Sequence, residues 1–326
     1  MLNLIPILIL CLIYGYLNGL HGSASIAATM VSSRAVSPRT ALFLATLGIA
    51  LGPFVLGVAV ANTIGTQLIS GDATTVQVIM SALSGAIIWS TFTLWLKIPT
   101  SISQSLVGGL IGAVVIGFGS DAILLPGLMK IFAALFLSPV LGIMVGFLLV
   151  RLVYSLSITA PPSINKWLNR GQVLVSLFLA MFFGANDGQK IMGMVTLGLI
   201  ATGVSDSFIV PFWVVGFSTL AISIGTLVGG WRLMQTLGRD FYKIRPVHGF
   251  GSQVASASIL FFAGVMGGPV SGSQVITSAI VGAGSADRVQ KVRWGTVQHI
   301  LASWLLTIPL SAIFGGLTYM LFRLVG

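Results

Sequence analysis

Two residues able to do chemistry stand where chemistry is expensive. In FFGANDGQKIMGM, residues 182–194, Asp187 and Lys190 lie three positions apart inside an apolar stretch from about Val173 to Ile200. A charge at the centre of a membrane helix costs about 2.5–3.5 kcal/mol on insertion scales. Lys190 can meet an anion, and Asp187 can hold a cation or a proton beside it. The combination suits an anion that moves together with a cation. A structural ion pair at i, i+3 is the alternative. Gly184 and Gly188 bracket Asp187, and each glycine weakens a helix by about 1 kcal/mol. The pattern predicts an interrupted helix, whose second half would start with unpaired N–H groups and a partial positive charge. Such a terminus is an anion site. Asn186 and Gln189 add neutral donors and acceptors there.

A second set of polar side chains occurs twice. IPTSISQSLVGGLIGA (98–113) matches GPVSGSQVITSAIVGA (268–283), with Pro99, Ser101, Ser103 and Gln104 paired to Pro269, Ser271, Ser273 and Gln274. Each element offers hydroxyls and an amide at the start of a short helix. One occurrence would read as an ordinary N-cap. Two occurrences at equivalent places in apolar segments favour binding, because hydroxyls and backbone N–H groups can grip a tetrahedral oxyanion. Of the three histidines, only His21 falls at an expected helix break; His248 and His299 fall near expected cytoplasmic ends.

The elements that must position these groups follow from composition. The chain of 326 residues is 56% hydrophobic and 7% charged, with mean hydropathy +1.04, whereas a soluble domain is about a quarter charged. Its apolar runs repeatedly exceed the roughly 20 residues that cross a bilayer as a helix; helices pair their backbone within the segment, and the strand-like alternation of a barrel is absent. The fold class is an all-α polytopic membrane protein. Polar breaks divide it into about ten spans, near residues 3–34, 40–64, 76–96, 99–118, 122–150, 171–203, 207–231, 246–266, 269–285 and 296–323. The shorter runs at 99–118 and 269–285 can be re-entrant hairpins. The first run, without a basic n-region or a convincing cleavage site, reads as a span and not as a removed signal peptide.

Thirteen of the sixteen basic residues (Arg34, Arg39, Lys97, Arg151, Lys166, Arg170, Arg232, Arg239, Lys243, Arg245, Arg288, Lys291 and Arg293) fall in alternate breaks, opposite Asp72, Asp121 and Asp206. The positive-inside rule assigns the basic breaks to the cytoplasm. This clustering accounts for the net charge of +10 without nucleic acid as a partner. Five spans per half make two inverted copies, an N-terminal repeat at 1–154 and a C-terminal repeat at 171–326, joined by a cytoplasmic linker at 155–170 (SLSITAPPSINKWLNR). Inverted repeats with sites near the midplane mark many secondary transporters. The lone Cys11 excludes disulfides within the chain. An intramembrane enzyme would need a second midplane carboxylate, a Ser–His set or a metal cluster. A channel would share the lining but would not concentrate its solute.

These residues carry a family resemblance that covers essentially the whole chain. GANDGQKIMGMVTLGLIATG (184–203) resembles the second signature of the PiT inorganic phosphate transporters. HGFGSQVASASILFFAGVMGGPVSGSQVITSAIVGAG (248–284) is similar to that family's His-Gly-Phe…Gln-x-Ala segment and the Pro-Val-Ser-Thr-Thr-His element after it. NGLHGSASIAATMVSSRAVSPRTAL, from Asn18, and IPTSISQSLVGGLIGA resemble the first-half counterparts. The resemblance implies symport of inorganic phosphate across the cell membrane, driven by sodium or protons, by a multi-pass homodimer without a cofactor. It implies an anion site of Ser23, Ser25, Thr100, Ser101, Ser103, Gln104, Gln189, Lys190, Ser271, Gly272, Ser273 and Gln274. Asn18, Asn186 and Asp187 would serve the coupling cation, with sodium near Asp187. Gly22 and Ser25 depart from the family's Asp and Asn, and Gln104 and Gln274 from its His. The missing carboxylate implies loss of a cation site, and fewer negative charges keep sulfate open as the anion.

Overall fold

In the computed structural model, which describes residues 3–96, 98–161, 163–230, 234 and 244–325, the apolar runs fold as helices, and no named strand occurs among the described residues. The first half holds α1 (Leu4–Ser32), α2 (Pro38–Leu51), α3 (Ala59–Thr66), α4 (Val76–Trp95), α5 (Ile102–Phe118) and α6 (Leu125–Leu156). The second holds α7 (Ile164–Ala201), α8 (Phe212–Val228), α9 (Pro246–Val265), α10 (Gly272–Asp287) and α11 (Trp294–Val325). Local chemistry sets several starts. Ser37 accepts from the Thr40 N–H at 3.3 Å with Pro38 at the first helical position, and Thr75 accepts from the Val78 N–H at 3.3 Å, each satisfying an N–H that the helix leaves unpaired.

The expected ten spans resolve unevenly. Five helices, α1, α4, α6, α7 and α11, are long and apolar enough to cross a membrane, and α2 with α3 makes a sixth candidate bent by 70°. α5 and α8 are shorter apolar helices of 17 residues each, and α10 has only 16 residues. α5 and α10 are short because each begins only after its Pro-x-Ser segment. The interruptions lie between α2 and α3 and just before α5 and α10. They do not lie in α1 or α7, which run unbroken through Gly22 and Asp187. The linker is also narrower than 155–170. α6 continues to Leu156 and α7 begins at Ile164, so Lys166 and Arg170 are helical. Lys97, Arg232, Arg239 and Lys243 lie outside the described residues.

The charge division has a geometric counterpart. Ser33 Oγ donates to Gln172 Oε1 at 2.9 Å, and Gln172 Nε2 donates to the Pro246 carbonyl at 3.0 Å. Arg34, Arg170 and Arg245 therefore gather at one end. At the other, the Ser70 N–H donates to the Ala122 carbonyl at 2.9 Å and the Leu124 N–H to the Leu68 carbonyl at 3.0 Å, joining the loops of Asp72 and Asp121. The Phe208 ring covers Gly65 there, beside Asp206.

The halves interlock reciprocally. α5 packs on α11, and α10 packs on α6. Glycines permit both approaches: a Cβ at Gly112 would strike the Ala312 backbone, and one at Gly282 the Ile143 backbone. Close backbone contact through small residues is how membrane helices gain packing without a hydrophobic driving force. We predict that Gly315→Val, whose Cβ would meet the Gly109 carbonyl, lowers stability by about 1–3 kcal/mol, read as a lower unfolding temperature in detergent. Gly295→Ala, where a Cβ meets nothing within 4 Å, should leave that temperature unchanged or slightly raised.

Candidate functional site

Asp187 and Lys190 sit on one face of α7, 2% and 1% exposed, and form an ion pair. The Lys190 ammonium also donates to Ser103 Oγ and to the Val270 carbonyl, both at 2.6 Å. An ammonium has three N–H donors, so all are engaged. The two Ser-rich elements thus converge on Lys190 from different helices, Ser103 from the first turn of α5 and Val270 from the turn before α10.

The elements also bond each other. Ser103 Oγ donates to the Val270 carbonyl at 3.4 Å, and Ser273 Oγ donates to the Thr100 carbonyl at 3.4 Å. The spacing that maps Ser103 onto Ser273 maps Thr100 onto Val270, so these contacts are equivalents. Their helix starts differ. Ser101 Oγ accepts from the Gln104 N–H at 3.1 Å, an N-cap, whereas Ser271 makes no cap bond and instead lies 3.3 Å from Ser273 Oγ. The N-cap reading thus holds at Ser101 and does not hold at Ser271. Gly272 begins α10 with its Cα against the Phe183 ring.

The expected helix break at Gly184–Gly188 is absent, and Lys190 stands in mid-helix, not in a first turn. The two glycines serve packing: a Cβ at Gly184 would meet the Ile49 backbone, and one at Gly188 the Pro53 ring. The lost helix propensity is offset by close approach of α2 and the turn after it. The helix start nearest this stretch belongs to α3, and Gln189 occupies it. Gln189 Oε1 accepts from the Val60 N–H at 2.7 Å and the Ala61 N–H at 3.4 Å. Its oxygen is a cap, leaving only Nε2 for another partner. Asn186 Nδ2 donates to the Gly268 carbonyl at 3.0 Å. Asn18, from α1, faces the Asp187 carboxyl, with its Nδ2 lacking an aligned acceptor.

Ser23 and Ser25 are engaged elsewhere. Ser23 Oγ donates to the Leu20 carbonyl at 2.9 Å and accepts from the Gly230 N–H at 3.1 Å, tying α1 to the end of α8. Ser25 Oγ donates to the His21 carbonyl at 3.4 Å. His21 lies within unbroken α1, Nδ1 3.0 Å from the Leu17 carbonyl. His248 Nε2 lies 3.0 Å from Tyr154 OH.

Sequence reasoning missed three neighbours. Thr307 Oγ1 lies 2.8 Å from Thr100 Oγ1 and accepts from Trp89 Nε1 at 3.3 Å; a hydroxyl every fourth residue in an apolar run, Ser303, Thr307 and Ser311, was its signal. Tyr14, one helical turn before Asn18, donates to the Ile102 carbonyl at 3.3 Å. Phe183 carries no polar signal at all.

What the arrangement can do is written in its unpaired atoms. Asn18 Nδ2, Gln104 Oε1, Asn186 Oδ1, Gln189 Nε2 and Gln274 Oε1 are buried without a partner. Leaving one buried polar group unpaired costs about 1–3 kcal/mol; these five belong to expected site residues, and five others among the described residues, on His21, Thr196, Ser218, Ser223 and Gln253, do not. A hard cation would find oxygens here. No group of three or more His, Cys, Asp or Glu that could hold a metal occurs among the described residues.

Gln189→Leu tests the cap. It should cost about 1–3 kcal/mol through the unpaired Val60 and Ala61 N–H groups. Faster hydrogen exchange confined to residues 59–66 is expected by mass spectrometry; unchanged protection there would remove the capping role.

The phosphate transporter family profile matches residues 18–167 and 157–315. A probable low-affinity inorganic phosphate transporter of Rhizobium meliloti (strain 1021) is 38% identical over 97% of this chain and 95% of its own length. A protein of the same description from Bacillus subtilis (strain 168) is 35% identical over 98% of this chain and 97% of its own. A solved structure of a sodium-dependent phosphate transporter superposes with a TM-score of 0.89 at 22% identity, covering 100% of both chains. With a family profile and relatives spanning nearly its whole length, the chain belongs to the phosphate transporter family.

Proposed function

We propose that this chain is a secondary active symporter of inorganic phosphate, working as a homodimer of inverted repeats in the cell membrane. The observation that carries this reading is the saturated Lys190 ammonium, held by Asp187, Ser103 and Val270. An anion that takes Lys190 must displace one of these partners. Displacing Asp187 alone leaves a buried carboxylate uncompensated, which costs about 3–5 kcal/mol. A cation arriving on Asp187 removes that cost, so anion and cation enter together. A channel has no use for such an exchange.

The unpaired acceptors favour phosphate over sulfate. Gln104 Oε1 and Gln274 Oε1 have no donor. Phosphate near neutral pH carries a P–OH that can donate to them, and sulfate carries none. A site with buried groups awaiting a hydrogen bond rejects the analogue that cannot make it. For the cation, Asp187 accepts either a proton or sodium. The unpaired Asn186 Oδ1 favours sodium, as does the sodium dependence of the structural neighbour. Gly22 in place of a second carboxylate implies fewer cations per anion than in relatives that keep both.

The test is uptake of labelled phosphate by proteoliposomes under a sodium gradient and, separately, under a pH gradient in choline buffer. Phosphate should accumulate above equilibrium, and a large excess of sulfate should not compete. Asp187→Asn should remain folded in detergent and lose gradient-driven accumulation. Wild-type accumulation by Asp187→Asn would refute the coupling scheme, and flux that only equilibrates would identify a channel.

A further inference from the structure

The contact between the Asn18 side chain and Asp187 has a counterpart of opposite character. The register that places NGLHGSASIAATM (18–30) over the segment beginning at Phe183 maps Gly22 onto Asp187 and Asn18 onto Phe183. Asn18 faces Asp187, and Phe183 packs on Gly22. One equivalent pair is polar and the other is apolar. The Phe183 ring is 1% exposed. A Cβ at Gly22 would fall against one edge of the ring, and a Cβ at Gly272 against another. The ring therefore closes a space between α1, α7 and the start of α10 that any larger residue at either glycine would contest.

Depth along the helices places this ring between the ion pair and the end that carries the basic loops. α1 and α7 run antiparallel, tied at that end by Ser33 and Gln172. Next inward, Gln253 Nε2 of α9 donates to Thr29 Oγ1 of α1 at 2.8 Å. One turn deeper, about 6 Å at 1.5 Å per residue, lie the buried hydroxyls of Ser25 and Ser256. Gly22 and the Phe183 ring follow, and Asn18 and Asp187 lie one turn beyond. A column of hydroxyls and amides thus leads inward, and Phe183 interrupts it.

We propose that Phe183 is the cytoplasmic gate of the transport path, an apolar plug that must leave Gly22 and Gly272 before solute passes from the Asp187–Lys190 cluster to the hydroxyl-lined column. This rests on the transport reading above, but its test does not use phosphate flux. In a Cys11→Ser background, which removes the chain's one cysteine, Asn18→Cys places a thiol beyond the ring. Inside-out membrane vesicles are treated with a membrane-impermeant maleimide. With Phe183 in place the thiol should be protected. Phe183→Ala should raise the labelling rate about tenfold or more, Phe183→Val should raise it less, and Phe183→Leu should keep protection. Equal labelling across the series, whether all protected or all open, overturns the gate, as does a parallel rise at native Cys11 in a Phe183→Ala chain that keeps it, since a general loosening would expose that buried thiol too. Should phosphate uptake fail while the graded labelling holds, the gate stands and the transport reading falls.

Discussion

A carboxylate and an ammonium buried in an apolar bundle must each be answered by other groups, and much of this structure answers them. Asp187 and Lys190 neutralise one another, but an ammonium has three donors and a carboxylate more than one lone pair to satisfy. The rest comes from afar in sequence: Ser103 from α5 and the Val270 carbonyl from the turn before α10 accept from Lys190, while Asn18 of α1 faces Asp187 without an aligned bond. Each source helix must stop, or pass, at one depth. This accounts for why α5 and α10 start inside the bundle while α7, which carries both charges, runs through as a helix of 38 residues.

Such an arrangement is stable and yet poised. Removing either charge alone strands the other in low dielectric, which is costly. Exchanging both for a bound anion and cation preserves the charge balance. The unpaired oxygens of Gln104, Gln274 and Asn186 point the same way, since buried acceptors without donors are better satisfied with a ligand present. The bonds between Ser103 and Val270 and between Ser273 and Thr100 are long, at 3.4 Å, and weaker than those to Lys190. They are the contacts between the two elements most easily given up. By contrast, the α5–α11 and α6–α10 contacts are made by backbone against backbone at glycines. The seam where the Ser-rich elements meet α1 and α7 is thus held by long hydrogen bonds, and the glycine-packed pairs by backbone contact.

Composition and hydropathy by themselves determined that the chain is a helical membrane protein, because lipid admits only helices and closed barrels and these runs are continuously apolar, without the alternation of barrel strands. The doubled Ser-Gln element and the Asp187–Lys190 spacing also revealed the candidate cluster, since polar groups within apolar segments are costly unless they meet a partner or a ligand. What only the tertiary structure decided is which polar atoms are spent and which remain free. Gln189 reads as a ligand in the sequence; its oxygen caps α3, more than a hundred residues away along the chain, and only Nε2 remains for a ligand. Gly184 and Gly188 read as a helix break and are contact points for Ile49 and Pro53. Thr307 and Phe183 carry weak signals or none, because their roles lie in what they touch. Hydrogen-bond satisfaction and close packing are properties of pairs brought together by the fold, whereas hydropathy is a property of each segment alone.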